Sequence, residues 1–335
     1  MKVAMVSGSC PPDTCGIGDY TATLVRELQA RGVEVEIITG DQWSASGSIS
    51  LKKQIQSARA DIVHLQYPTL GYGMGLAPQA LSLLMPLVVT IHEVSQAQVL
   101  RRLSLYPFSM RSRIIFTTHF ERAYATRFAP WVSKRASVIP ICSQIPSAPL
   151  SQEARTTDIV YFGLFRTNKG IEHVMRLAEL VKGEGLPYVV RMVGAMDAHL
   201  PNYYNNLRSL AKRLPVVWVV GQDVEQVAAV LGRCQIGYMP FPDGASERRT
   251  SLLALLANGV AVVTTRGPHT PPEMEDCAEF ADSPEHAISI ILDLYRDVQR
   301  RAKLSAKAIA YAGRFSLDSI ASQHIALYHD IVNAG

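Results

Sequence analysis

Cysteine is scarce, with five in 335 residues, at positions 10, 15, 142, 234 and 277. An odd, scattered set excludes a disulfide framework and reads as reduced thiols. Cys10 and Cys15 alone cannot supply the four ligands of a structural zinc. No apolar run reaches the ~18–20 residues that a spanning helix needs, and Leu81–Ile91 is interrupted by Pro86. Met1–Pro11 is charged only at Lys2, and its apolar part is too short for a signal peptide, so a cytoplasmic location is expected. No Asp-x-Asp occurs. The acidic run Glu273-Met274-Glu275-Asp276 follows two prolines and reads as a polar turn. No metal is implied.

Net charge is also small, at +4, but it is unevenly spread. Residues 101–135 hold Arg101, Arg102, Arg111, Arg113, Arg122, Arg127, Lys134 and Arg135 against a single acid, Glu121. Such a cluster is either a solvated face or a surface that meets anionic lipid or an anionic acceptor, peripherally at the inner face of a membrane. Nucleic acid is not expected, because no recognition motif and no interleaved aromatic platform accompanies the charge. What the chain does have is apolar content, 48% hydrophobic against 19% charged. That excludes disorder, coiled coil and collagen, and suits two domains of about 150 residues.

Short Val/Ile-rich runs alternate with helical stretches. Val3–Ser7, Val35–Thr39, Ile62–Leu65, Leu87–Ile91, Ile114–Thr118 and Ala136–Ile139 read as parallel strands buried on both faces. Tyr20–Ala30 reads as a helix closed by Arg31-Gly32, and Thr118-His119-Phe120-Glu121 has the spacing of a capping box. After a polar, proline-bearing linker over Cys142–Thr157, a second series follows: Ile159–Phe162, Tyr188–Val193, Val216–Val220, Ile236–Met239 and Val260–Thr264. Two helical segments close the chain, over 285–312 and 316–333. This is an α/β pattern of two Rossmann-like doubly wound halves, whose ligands bind at the carboxyl ends of strands, in a cleft between facing halves.

Chemistry-bearing residues fall after those strands. Gly16-Ile17-Gly18 opens the first helix, where glycines let a ligand approach the backbone. A proline-bearing insertion separates these glycines from the strand, which excludes the dinucleotide fingerprint. His92 ends the fourth strand and points into the cleft. His64 reads as core, and His119 as a structural residue at a helix start. In Gly163-Leu164-Phe165-Arg166-Thr167-Asn168-Lys169-Gly170, two cations three residues apart precede a helix and suit a diphosphate. In Pro240–Ser251 another loop runs into a helix whose first amides, at Thr250–Leu252, can hold a phosphate.

The chain resembles the retaining family-4 glycosyltransferases of GT-B fold over nearly its full length. Four segments carry the resemblance: CGIGDYTATLVRELQARGVEVEI; DIVHLQY with VVTIHE; FGLFRTNKGIE; and LLALLANGVAVVTT. It implies an acceptor-binding domain over 1–145, a nucleotide-sugar donor domain over 157–315, and a terminal helix over 316–335 packing back on the first domain. It also implies transfer of a sugar from a nucleotide-diphosphate donor to a hydroxyl acceptor, with retention, without metal and without a bound cofactor, in glycan, glycolipid or glycosylated-metabolite synthesis. Gly16, Ile17, Gly18 and Gly163 would lie at the donor or acceptor. His92 would contact the donor sugar. Arg166 and Lys169 would neutralise the diphosphate, and Thr250, Ser251 and Leu252 would add phosphate contacts. Asp19 and Tyr67 are the candidate acceptor contacts.

The family's Glu-x7-Glu pair is replaced by Ser246 and Ala254, with Glu247 one residue away as the candidate catalytic carboxylate. The usual Arg directly after the glycine is Leu164, with Arg166 as its substitute. As the glycosidic bond breaks, charge grows on the departing phosphate, and preorganised cations stabilise it. A covalent route needs a carboxylate at the anomeric carbon. A front-face route, in which the leaving phosphate helps deprotonate the acceptor, fits these residues better. The rivals are a non-catalytic sugar-nucleotide or glycan binder on the same fold and a nucleotide-sugar epimerase.

Overall fold

The computed structural model describes all residues except 14, 41, 96–98, 152–153, 197–199 and 335. Two compact units divide the chain at Cys142/Ser143 and again at Ser316/Leu317.

The first unit runs β1 (Lys2–Val6), α1 (Gly16–Ala30), β2 (Glu34–Ile38), α2 (Gly47–Ser57), β3 (Ile62–Tyr67), α3 (Ala77–Leu84), β4 (Val88–Ile91), α4 (Val99–Arg102), α5 (Leu105–Arg111), β5 (Arg113–Phe116), α6 (His119–Phe128) and β6 (Ala136–Val138). Its sheet is parallel, in the order β2-β1-β3-β4-β5-β6. The central strands β3 and β4 are buried at every residue. The edge strand β2 buries only Val35 and Ile38, so the expectation of burial on both faces fails there for lack of a second neighbour. Thr118 caps α6 by accepting from Glu121 N at 3.0 Å. The Glu121 carboxylate, however, accepts from the amides of Val94 and Ser95 at 2.8 and 2.9 Å. The expected capping box is thus used to tie down the chain after β4.

The second unit runs β7 (Thr156–Phe165), α7 (Ile171–Gly183), β8 (Val190–Met196), α8 (Pro201–Ala211), β9 (Val216–Val220), α9 (Val224–Arg233), β10 (Cys234–Met239), α10 (Thr250–Ala257), β11 (Ala261–Thr264), β12 (Glu279–Phe280), α11 (Pro284–Arg296) and α12 (Val298–Gly313). Its sheet is parallel in the order β12-β11-β10-β7-β8-β9. The two-residue β12 carries no sequence signal and was not expected. The segment expected as one helix over 285–312 is two, because Asp297 ends α11 and accepts from Arg300 N at 2.8 Å to start α12.

The last helix, α13 (Leu317–Ala334), belongs to the first unit, where Ile320, Ala321 and Tyr328 join Val3, Met5 and Leu24 in one core cluster. The linker is anchored to the second unit, apart from residues 152–153, which lie outside the described residues. Asn258 accepts from Ala148 N at 2.8 Å and donates to Pro146 O at 3.1 Å. The buried Arg155 donates to the carbonyls of Leu150, Cys234, Asn258 and Gly259 at 2.7–3.2 Å.

Candidate functional site

In the second sheet β7 is followed outward by β8 and β9, and the chain then crosses back to place β10 on the other side of β7. The loops after β7 and β10 therefore leave in opposite directions and open a crevice at their carboxyl ends, where doubly wound sheets bind ligands. Arg166–Gly170 follows β7, and Pro240–Arg249 follows β10. The two loops are pressed together. Gly170 has φ +72° and starts α7, and a Cβ there would lie 1.6 Å from Pro240 O. Only glycine fits both the left-handed backbone and that approach.

This packing assembles three cations. Arg166 is exposed. Lys169 is half-buried, and its ammonium is held below the ordinary lysine range, first by burial and then by the charges of Arg249 and Arg166. Arg249 is also pushed down, chiefly by burial, against the opposing pull of Asp243. An ion pair to Asp243 fixes its guanidinium, which lies 4.8 Å over the Phe241 ring. Like charges crowded in a partly desolvated place favour a bound polyanion. Arg249 and Phe241 were not singled out from the sequence. Their charge and aromatic character were visible, but their meeting with Lys169 depends on Gly170 lying against Pro240.

Beside the cations, a cavity of ≈ 580 Å³ takes residues from the loops after β7, β10, β11 and β12 and from the first turn of α7, among them Asn168, Gly170, Glu172, Phe241, Arg266 and Asp282. Its size is that of a small-ligand site. At α10, Leu253 N makes the first helical bond, to Arg249 O at 3.0 Å, while Thr250 N turns back to Arg248 O at 3.2 Å. The amides of Ser251 and Leu252 precede that first bond and keep an anion-facing polarity. The Leu252 side chain itself is core. Ser246 is half-buried, and its carbonyl accepts from Arg249 N at 3.0 Å.

Three expected residues are placed differently from the sequence reading. Gly163 is not a loop residue: β7 runs three residues past its expected end, and Gly163 pairs with Gly194 of β8 inside the sheet. Glu247 is drawn towards α12, where Oε1 lies 3.4 Å from the Tyr311 hydroxyl. Tyr67 is core, not an acceptor contact. It is buried and edge-on to Phe108, and its hydroxyl lies 3.0 Å from Ser104 Oγ and 3.1 Å from Gln79 Nε2. Ala254 is fully buried. Among the described residues no group of three or more His, Cys, Asp or Glu is placed to hold a metal ion.

In the first unit the switch point falls between β1 and β3, and there it is filled. A Cβ on Gly71 would lie 1.6 Å from Gly8 O, and Gly71 N donates to Ser9 Oγ at 2.7 Å. Gly18 is buried because a Cβ would lie 2.8 Å from Ser9 O, whereas Gly16 has open space around it. Ile17 and Asp19 are half-buried in the first turn of α1. Thr14, in the same loop, lies outside the described residues. His92, just past β4, is half-buried. Its Nε2 lies 2.8 Å from Gln66 Oε1, its ring meets Tyr20 edge-on, and burial lowers its pKa to about 3. His64 is core, as expected.

The whole fold, two units with a parallel sheet each, superposes on solved glycosyltransferases. HepE of Anabaena, solved with UDP and glucose, superposes with TM-score 0.72 at 16% identity, covering 98% of this chain and 100% of that one. The fold is GT-B. Sucrose-phosphate synthase of Thermosynechococcus elongatus gives TM-score 0.74 at 17% identity, covering 100% of both chains. A glycosyltransferase of Rickettsia africae gives 0.76 at 13% identity, covering 100% of this GT-B chain and 99% of its own. No protein-family model and no curated protein matches the sequence.

Proposed function

We propose that this chain is a glycosyltransferase that moves a sugar from a nucleotide-diphosphate donor to a hydroxyl acceptor. The observation that carries the reading is the meeting of Arg166, Lys169 and Arg249 at the switch point of the second sheet. HepE, of the same fold, has been solved with UDP and with UDP-glucose, which supports a nucleoside diphosphate as the ligand of those cations.

In this reading the diphosphate lies between Arg166 and Lys169, with the α10 amides of Ser251 and Leu252 on the same anion. Negative charge that builds on the β-phosphate as the C–O bond breaks is stabilised by groups already in place. These cations supply what a metal would otherwise supply, so transfer is metal-independent. Retention follows from a front-face course, in which the departing phosphate accepts the acceptor's proton. The contact of Glu247 with Tyr311 supports this front-face course over a covalent one. Residues 101–135 present Tyr106, Met110 and Trp131 exposed among the arginines, which supports peripheral contact with anionic membrane. Flotation with anionic but not neutral vesicles is the expected result.

A thermal-shift panel of nucleoside diphosphates and nucleotide sugars tests the donor reading, because a ligand that binds the native state raises its stability by mass action. A shift with at least one diphosphate is expected, and no shift with any of them refutes the reading. The buried Ala254 favours one second reading, a sugar-nucleotide binder without turnover, since an alanine in the core leaves the family's ribose carboxylate unreplaced. Release of free nucleotide from the donor that binds separates the two.

A further inference from the structure

We propose that Gln66 is a positioning residue that fixes the tautomer of His92, so that the imidazole meets its ligand as a hydrogen-bond acceptor through Nδ1.

The argument is a count of donors and acceptors. Gln66 is fully buried in β3. One end of its amide lies 3.4 Å from Met5 Sδ and 3.4 Å from His64 Nε2, and the other end lies 2.8 Å from His92 Nε2. A thioether sulfur accepts weakly and never donates. The amide NH2 therefore faces Met5 and His64, and the carbonyl oxygen faces His92. A carbonyl only accepts, so His92 Nε2 carries the hydrogen. A neutral imidazole has one N–H, which leaves Nδ1 with its lone pair.

The rest of the network agrees with this direction. His64 Nε2 is the acceptor for Gln66 and lies 2.7 Å from Thr90 Oγ1. His64 Nδ1 lies 2.5 Å from the Tyr328 hydroxyl of α13. The N–H of His92 and the NH2 of Gln66 point the same way, from His92 towards His64. Reversing Gln66 would set its carbonyl against sulfur.

The backbone of His92 is fixed as well. His92 N donates to Tyr67 O at 2.8 Å, and His92 O accepts from Thr117 Oγ1 at 3.2 Å. The Tyr20 ring of α1 stands edge-on at 5.5 Å. The titratable groups facing it are Tyr20 of α1, His64 of β3 and, through its like charge, His324 of α13. Among the described residues none hydrogen-bonds Nδ1. A lone pair held there suits an O–H donor. On the donor reading above, on which this last step rests, that donor is a hydroxyl of the transferred sugar.

Nitrogen-15 spectra of the full-length, histidine-labelled protein test the assignment without any ligand, with His92→Asn identifying the signals. The expected result is a single Nε2–H tautomer of His92, unchanged between pH 8 and pH 5. Gln66→Met and, as a second variant that keeps polarity, Gln66→Asn are expected to give a mixture of both tautomers in any variant that folds. An Nδ1–H form in the wild type overturns the proposal, as does an unmixed Nε2–H signal in a folded Gln66 variant. Adding a nucleotide sugar that binds in the thermal-shift panel is expected to move Nδ1 alone. If Nδ1 stays put, the hydroxyl contact is wrong. If no nucleotide sugar binds at all, the donor reading fails while the tautomer measurement still decides the role of Gln66.

Discussion

The first unit is expected to lose stability steeply in mild acid. His64 and His324 are buried, and burial is the main cause that lowers both pKa values, that of His324 to about 4 and that of His64 well below the usual range. The folded protein therefore keeps both rings, and that of His92, neutral where the unfolded chain, with ordinary histidines near pH 6.5, takes up three protons. A depressed histidine pKa makes stability full above the unfolded value and lost progressively as pH falls towards the folded value. Each ring contributes about 1.4 kcal/mol per pH unit in that window, so lowering the pH from 7.5 to 5.0 removes about 6 kcal/mol through the three together. That is a large part of the ~5–15 kcal/mol that holds a domain folded.

Urea unfolding of Trp218→Phe, in which the remaining tryptophans Trp43 and Trp131 lie in the first unit, measures this directly. His324→Leu isolates one of the three rings. His324 Nδ1 donates to Ile320 O at 2.8 Å, while Nε2 is buried without a partner among the described residues. The leucine variant is expected to be about 1 kcal/mol more stable at pH 7.5, since an unpaired buried acceptor is removed, and to lower the pH slope by about a third. Equal stability at pH 7.5 and 5.0, or an unchanged slope in His324→Leu, refutes the reasoning.

Arg166→Ala, Lys169→Ala and Arg249→Ala are each expected to keep the fold and lose turnover by about 10²–10³, the effect of removing one preorganised charge contact. Near-normal rates in all three would remove the cation cluster from the mechanism. Gly170→Ala combines a left-handed backbone with a clash on Pro240 O, and is expected to cost the second unit about 2–4 kcal/mol in urea unfolding. Arg155→Met leaves four carbonyl contacts unmade, and a loss of at least about 3 kcal/mol in the same assay is expected. A loss under about 1 kcal/mol would show that the linker is not anchored through this side chain.

Much of this molecule is local in the sequence. Alternating Val/Ile runs and amphipathic stretches determine strands and helices wherever a parallel strand has neighbours on both sides, because burial on two faces demands an unbroken apolar run. The pattern weakens at the edges, at β2 and β12, where one neighbour is missing. It also misses the break between α11 and α12, which rests on one aspartate cap. The motif FGLFRTNKGIE likewise marked Arg166 and Lys169 as a pair beside a helix start.

Only the tertiary structure decided what those residues meet. Arg249 joins Lys169 because Gly170 lies against Pro240, about 70 positions along the chain. Tyr67 looked available in a polar, glycine-bearing stretch, yet Gln79, Ser104 and Phe108 enclose it. Gln66 is one polar residue in a strand until β4 brings His92 to its carbonyl and α13 brings Tyr328 to His64. Periodicity records which face of an element is apolar. It does not record which partner covers that face, and hydrogen bonds and pKa values depend on the partner.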